Sequence, residues 1–345
     1  MAEEVLSETP ASQTRPESTP EKRAAPWSRI VAIFLKQREA TILVIAIALI
    51  IYFQVSNSAF LSKENIGTIS QYAAATAIIA AGEVMLLICG EIDLSVGNVY
   101  ALAPFIMYFA NDAGVPLGIS LILGLLVSAG VGLINGIIVV YFQVPSLIAT
   151  LGTLFALNGI TLTISNAFPV LTPGTGTRFA GILGHDTFSE ILWAIGILIV
   201  MQIILSRTRW GLHTVASGGN PLGASEVGVN IRLIKMSNFM LTSILGGFAG
   251  ILEAFRITST APDAGGTVIM FNAVAGAVIG GTALQGGSGT IIGAGLGVIV
   301  LSLLQDGFTL LGVSAFTYNI VIGAAILVAM ILNVRLQALR KAGRQ

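Results

Sequence analysis

Between two apolar runs, Gly90-Glu91-Ile92-Asp93-Leu94-Ser95-Val96-Gly97 puts two carboxylates and a hydroxyl where hydrocarbon is expected. Ionised carboxylates are costly inside a bilayer, so Glu91 and Asp93 must face protein, water or a helix end. Two chemistries fit. Asp93 and Ser95 can cap the helix that follows, accepting bonds from its free amides and complementing its positive end. Alternatively Glu91, Asp93 and Ser95 belong to a solute pathway, with the carboxylates accepting hydrogen bonds from solute hydroxyls. Glu83 precedes Glu91 by eight residues, so on an ideal helix the two share a face about two turns apart. A proton-relay pair is conceivable there, although no histidine or lysine accompanies them within the apolar stretch. Asn272, in a later apolar run, is a further candidate for the pathway.

Other chemistries find little support. Glu253 and Arg256 are three apart, and a structural ion pair within one helix explains them. His185 and His213 belong to no cluster with metal-ligand spacing, so no metal site is expected. Cys89 is the single cysteine and lies in an apolar run, which excludes an intrachain disulfide and reads as a small buried residue. No lysine follows a glycine, so the phosphate-binding pattern G-x-x-x-x-G-K-[ST] is absent and ATP must be handled by a partner. No nucleophile and base set suggests catalysis.

The stretch Ala216 to Asn230 reads as a short helix between breaks. Asn220 suits its cap, Pro221 its first position and Gly228 its end. A short exposed helix of this kind is what a motor subunit could grip.

These residues are carried on a chain that is 54% apolar and only 10% charged, with a mean hydropathy of +0.89. A soluble domain carries roughly 25% charged residues. The fold class is therefore all-α and polytopic, lodged in the lipid bilayer. Apolar runs near 40–55, 66–89, 96–110, 117–141, 146–165, 190–206, 236–256, 268–283, 289–304 and 317–334 predict ten transmembrane helices. The third and eighth are short and adjoin glycine-rich breaks, Gly90 to Gly97 and Gly280 to Gly289, so broken or re-entrant elements are expected there. Small residues such as Gly246, Gly247 and Gly250, or Gly293, Gly295 and Gly297, suit close helix packing. Residues 1–26 are rich in Glu, Ser, Thr and Pro and read as a disordered tail, with a membrane domain over 27–345. No cleavable signal peptide is expected, because the first apolar run comes too late and is too long.

Lysines and arginines accumulate in short cytoplasmic segments. With ten spans and both termini cytoplasmic, 14 of the 17 basic residues fall in the tail, the 207–235 loop and the C-terminus. Only Lys63, Arg178 and Arg256 fall outside. The zero net charge, with no basic stripe, argues against a nucleic-acid partner.

Five motifs in order resemble the ribose, xylose and arabinose type permeases of bacterial ABC importers: Gly-Glu-Ile-Asp-Leu-Ser-Val-Gly at 90–97, Val-Pro-Ser-Leu-Ile-Ala-Thr-Leu-Gly-Thr-Leu at 144–154, Gly-Gly-Asn-Pro at 218–221, Val-Ile-Gly-Gly-Thr-Ala-Leu-Gln-Gly-Gly-Ser-Gly at 278–289 and Leu-Leu-Gly-Val-Ser at 310–314. The resemblance implies a multi-pass inner-membrane permease, paired with a second copy or a paralogue. It implies a cytoplasmic ATP-binding subunit that uses the ATP, and a periplasmic sugar-binding protein that delivers the solute. It makes the helix at 219–230 the coupling helix, with Gly219, Asn220, Pro221, Ala224, Ser225 and Gly228 in the motor contact. Where the family often has acidic residues before the eighth span, this chain has Ile269-Met270-Phe271-Asn272-Ala273-Val274-Ala275. The expected solute is thus a monosaccharide or related polyol. An ion-coupled secondary transporter, or a permease for branched-chain amino acids or nucleosides, is the alternative.

Overall fold

A computed structural model describes residues 38–186, 188–314, 316–317, 319–328 and 331. The expected disordered tail over 1–26 and the basic residues from Arg335 onward lie outside the described residues.

Helix α1 spans Arg38–Ser56, α2 Lys63–Ile88, α3 Val96–Asp112, α4 Leu117–Tyr141 and α5 Ser146–Ile164. After a short turn near 178–185 come α6, Ser189–Arg207, and two short helices, α7, Arg209–Gly219, and α8, Pro221–Glu226. Then follow α9, Ile231–Ile257, α10, Gly266–Ile279, α11, Ile291–Leu310, and α12, Asn319–Val328. Each of the ten apolar runs overlaps a helix, the last of them over Asn319–Val328 among the described residues. Seven of these, α1, α2, α4, α5, α6, α9 and α11, are long and apolar enough to cross a bilayer. The chain is a multi-pass helical membrane protein, and α3, α10 and α12 are shorter.

Local sequence explains most helix boundaries. Ser62 accepts a bond from Asn65 N–H at the start of α2, and Thr290 does the same for Gly293 N–H at the start of α11. Pro116 and Pro145 stand immediately before α4 and α5, where a missing N–H costs nothing. In α3, Pro104 leaves the Tyr100 carbonyl without its helical donor, and α9 brings the Gly250 backbone against that oxygen. Gly246 meets Val96 in the same way, and Gly297 meets the Gly276 carbonyl, so these small residues serve helix packing.

Helix α2 is the centre of the bundle, with 89% of its most apolar window buried, against 17% for α1 and 22% for α6. The outer helices turn Ile51, Leu126, Phe155 and Leu192 outward, as a lipid solvent permits. One end of the bundle is tied by Thr290 to Glu39 at 2.9 Å and by Ile291 N–H to Gln202 at 3.0 Å. The other end is tied by Asn57 to the Leu310 carbonyl at 3.2 Å and by a two-stranded antiparallel ribbon, β1 (Val170–Leu171) with β2 (Ser259–Thr260).

The breaks differ from expectation in one respect. Helix α10 starts at Gly266 and stops at Ile279, so irregular chain flanks it on both sides, over 261–265 as well as 280–290. Val96, the first residue of α3, abuts Gly246, midway along α9. Gly97 in turn touches the Gly266 carbonyl, so closely that a Cβ on Gly97 would overlap it. Two shorter helices, of 17 and 14 residues, thus begin at the middle of the bundle and run to opposite ends.

Candidate functional site

The 90–95 break is held from three sides. Asp93 is fully buried. Its Oδ1 accepts Ser95 N–H at 2.9 Å, the Ser95 hydroxyl at 2.6 Å and Asn135 Nδ2 at 3.3 Å. Its Oδ2 accepts the Ser243 hydroxyl at 3.3 Å. Asn135 Nδ2 also reaches Ser95 Oγ at 2.8 Å, and Asn135 Oδ1 accepts Thr153 Oγ1 at 2.6 Å. Beside this network, Ser146 of α5 accepts Ile92 N–H at 3.3 Å. Side chains from α4, α5 and α9 therefore replace the helical bonds that the break gives up, as buried irregular backbone requires. This corrects the capping expectation. Ser95 stands at the cap position of α3, but its hydroxyl makes no capping bond and serves Asp93 instead.

Glu91 and Glu83 do not form a relay pair. Glu91 is ion-paired with Lys235, which α9 brings from 144 positions away. The absence of a neighbouring lysine, correct along the sequence, thus fails in space. Glu83 is fully buried in α2 and takes no part in the Glu91 to Lys235 pair. Asn272 is half-buried on α10 and does not join the Asp93 hydrogen bonds. A cavity of about 380 Å³ opens beside the Glu91 to Lys235 pair, lined also by Gln143, Arg232, Val139 and Pro145. Lys235 is exposed over 25% of its side-chain surface and Glu91 over 11%, so their coupling is modest. A double-mutant cycle with Lys235→Met and Glu91→Gln should give about 1 kcal/mol in thermal unfolding. A coupling indistinguishable from zero would mean the pair does not hold the break to α9.

The coupling stretch is two helices rather than one. Thr208 caps α7 through Gly211 N–H at 3.3 Å, and Asn220 caps α8 through Gly223 N–H at 3.1 Å. Gly228, with φ of 84°, closes α8 by donating to the Ser225 carbonyl. Asn220, Pro221 and Ser225 are exposed, while Ala224 is buried at 5% and faces the bundle. The side chains that project are Leu222 and Val227, both 80% exposed. Helix α7 is pinned beneath by Asn238. Its Oδ1 accepts Trp210 Nε1 at 2.9 Å, and its Nδ2 reaches Cys89 Sγ at 3.1 Å and Thr214 Oγ1 at 3.3 Å.

At the opposite end, Arg256 gathers more than its expected partner. It binds Glu253 bidentately, donates to Gln71 at 3.2 Å and lies 3.4 Å from Glu190. Glu190 is 2% exposed, so its charge depends on this arginine. Glu190 and Gln71 sit on different helices, and no spacing in the sequence links them to Arg256. Arg256→Gln should lower stability by about 3 kcal/mol by leaving Glu190 unpaired, measured as a drop in midpoint on detergent-solubilised protein. An unchanged midpoint would show that Glu190 has another partner. Among the described residues, no group of three or more His, Cys, Asp or Glu side chains could hold a metal ion.

A sequence family described as the permease component of branched-chain amino acid transport systems matches residues 65–330. The xylose/arabinose import permease protein XylH of Sulfolobus acidocaldarius is 38% identical over 84% of this chain and 82% of its own length. The ribose import permease protein RbsC of Bacillus subtilis is 32% identical over 83% of this chain and 89% of its own length. The autoinducer 2 import system permease protein LsrC of Photorhabdus luminescens is 30% identical over 89% and 93%. No solved structure gives a significant match.

Proposed function

The chain belongs to the permease-component family of branched-chain amino acid transport systems, and from that premise we propose that it is the membrane subunit of an ATP-driven importer for a monosaccharide or related polyol. One observation carries the reading: relatives that match over more than four fifths of both chains import pentoses. A permease moves solute and breaks no covalent bond in it. In this proposal the end bearing α7 and α8 is cytoplasmic, ten segments enter the bilayer, and both termini lie inside, as the distribution of basic residues favours. The bilayer is a bacterial inner membrane. Helix α8 docks on a cytoplasmic ATP-binding subunit through Leu222 and Val227, ringed by Asn220, Pro221 and Ser225. A periplasmic binding protein delivers the sugar to the opposite face, and a second permease copy or paralogue completes the path. ATP is consumed by the partner, and this chain binds no cofactor.

The Asp93 network has a different role from the one first open to it. Every oxygen of Asp93 is engaged by protein donors, which suits holding the 90–95 break in shape rather than contacting solute. Glu91, beside an open cavity, is the better placed of the two carboxylates for solute passage.

The test is uptake of labelled xylose, arabinose and ribose into proteoliposomes that contain the permease, its ATP-binding partner, internal ATP and external binding protein. Uptake that requires every component supports the reading and identifies the sugar. Uptake by this chain alone, driven by an ion gradient, would sink it.

A further inference from the structure

Three stretches of backbone meet at the inner end of the bundle with no side chain between them. Ile88 is the last residue of α2, and its carbonyl accepts Gly287 N–H at 2.8 Å. Gly218, at the end of α7, presses on the same carbonyl. A Cβ there would overlap the Ile88 oxygen and stand 2.9 Å from Gly287 N. Gly286 faces the Gly218 and Ile88 carbonyls, where an added Cβ would lie 3.1 Å from each oxygen. A contact between side chains can absorb a small shift by changing rotamer. Close-packed backbone has no such freedom and passes the shift on.

Two of the three partners in this junction lead to the shorter helices, α3 and α10. The end of α2 continues into the 90–95 break and α3, while the 280–290 loop leads back into α10. At the middle of the bundle α3 and α10 meet again, Gly97 against the Gly266 carbonyl. The two broken segments therefore touch twice, once at mid-depth and once under Gly218. We propose that Gly218 is a positioning residue for transport, which seats the coupling segment on both breaks so that one stroke of α7 and α8 moves them together and parts α3 from α10. This rests on the importer reading given above.

The test uses the complete importer in proteoliposomes, with uptake and ATP hydrolysis measured on the same vesicles. Gly218→Ala forces the junction apart, because the atom it meets is a backbone oxygen, and in importer that still assembles and hydrolyses ATP the solute moved per ATP should fall about tenfold or more. An unchanged ratio, or hydrolysis and uptake falling in proportion, overturns the proposal. A second variant does not depend on that alanine being accommodated. Thr214→Cys lies beside Cys89, whose Sγ is 3.7 Å from the Thr214 carbonyl, so copper phenanthroline should cross-link α7 to the end of α2. If the two move as one body, the cross-linked importer keeps at least about half its uptake. Uptake lost on cross-linking and restored by reductant would show that they slide, and would overturn the proposal. Parent vesicles that accumulate solute without ATP would instead remove the importer reading, a distinct failure.

Discussion

Asp93→Ala is expected to destabilise the protein by about 3–5 kcal/mol, because it strips the acceptor from several buried donors at once. The Ser95 amide, the Ser95 and Ser243 hydroxyls and the Asn135 amide all point at this carboxylate. Some can turn to one another, as Asn135 already does with Ser95, but the Ser95 N–H and the Ser243 hydroxyl lose their oxygen. Asp93→Asn tests the same point more sharply. Its oxygen can still accept the Ser95 amide and hydroxyl, and its NH₂ group, in the place of Oδ2, can donate to the Ser243 hydroxyl oxygen, so most of the loss should be avoided. Ser243→Ala removes one donor only and should cost about 1 kcal/mol. Unfolding midpoints in detergent measure all three. An Asp93→Ala midpoint close to the parent's would mean the break is held by backbone and packing alone.

Leu222→Asp with Val227→Asp should have the opposite signature, intact folding with lost transport. Both side chains are 80% exposed, and surface changes of this kind shift stability by about 0.5 kcal/mol or less. An apolar side chain seated in a partner's pocket is another matter. Losing such an anchor costs about 2 kcal/mol or more, which is about 30-fold in affinity. The ATP-binding subunit should therefore fail to co-purify, and ATP-driven uptake should fall by at least that factor. Asn220→Ala serves as the milder comparison, since it removes the α8 cap, at about 1 kcal/mol, and one rim side chain of the contact. Normal recovery of the ATP-binding subunit with the doubly charged variant would place the docking contact elsewhere.

Much of the architecture was legible because lipid makes it so. A bilayer demands long apolar helices, and among the described residues seven of the expected ten are long and apolar enough to cross one. Glycine-rich breaks at 90–97 and 280–289 marked the shorter helices, since backbone leaves the helix where a side chain would obstruct it. What the sequence hid was long-range pairing. Lys235 meets Glu91, Asn135 and Ser243 meet Asp93, and Glu190 meets Arg256 across separations that no local pattern encodes. Helix α7 was also hidden, because Gly211, Gly218 and Gly219 depress helix propensity in a segment whose stability comes from Trp210 and Thr214 packing on Asn238. Ala224, which the resemblance places in the motor contact, is buried against the bundle, and a helix as short as α8 gives no periodicity from which to choose a face.

The shorter helices also constrain how the protein is made. At 14 residues, α10 spans about 21 Å, short of the roughly 30 Å of hydrocarbon. Helix α3 begins just after an acidic residue whose partners arrive with α4 and, some 150 positions later, with α9. During synthesis the 90–97 segment must therefore wait, with Asp93 lacking the Ser243 hydroxyl, until α9 has entered the membrane. The central segments therefore reach their final packing as a group, once α9 has joined them.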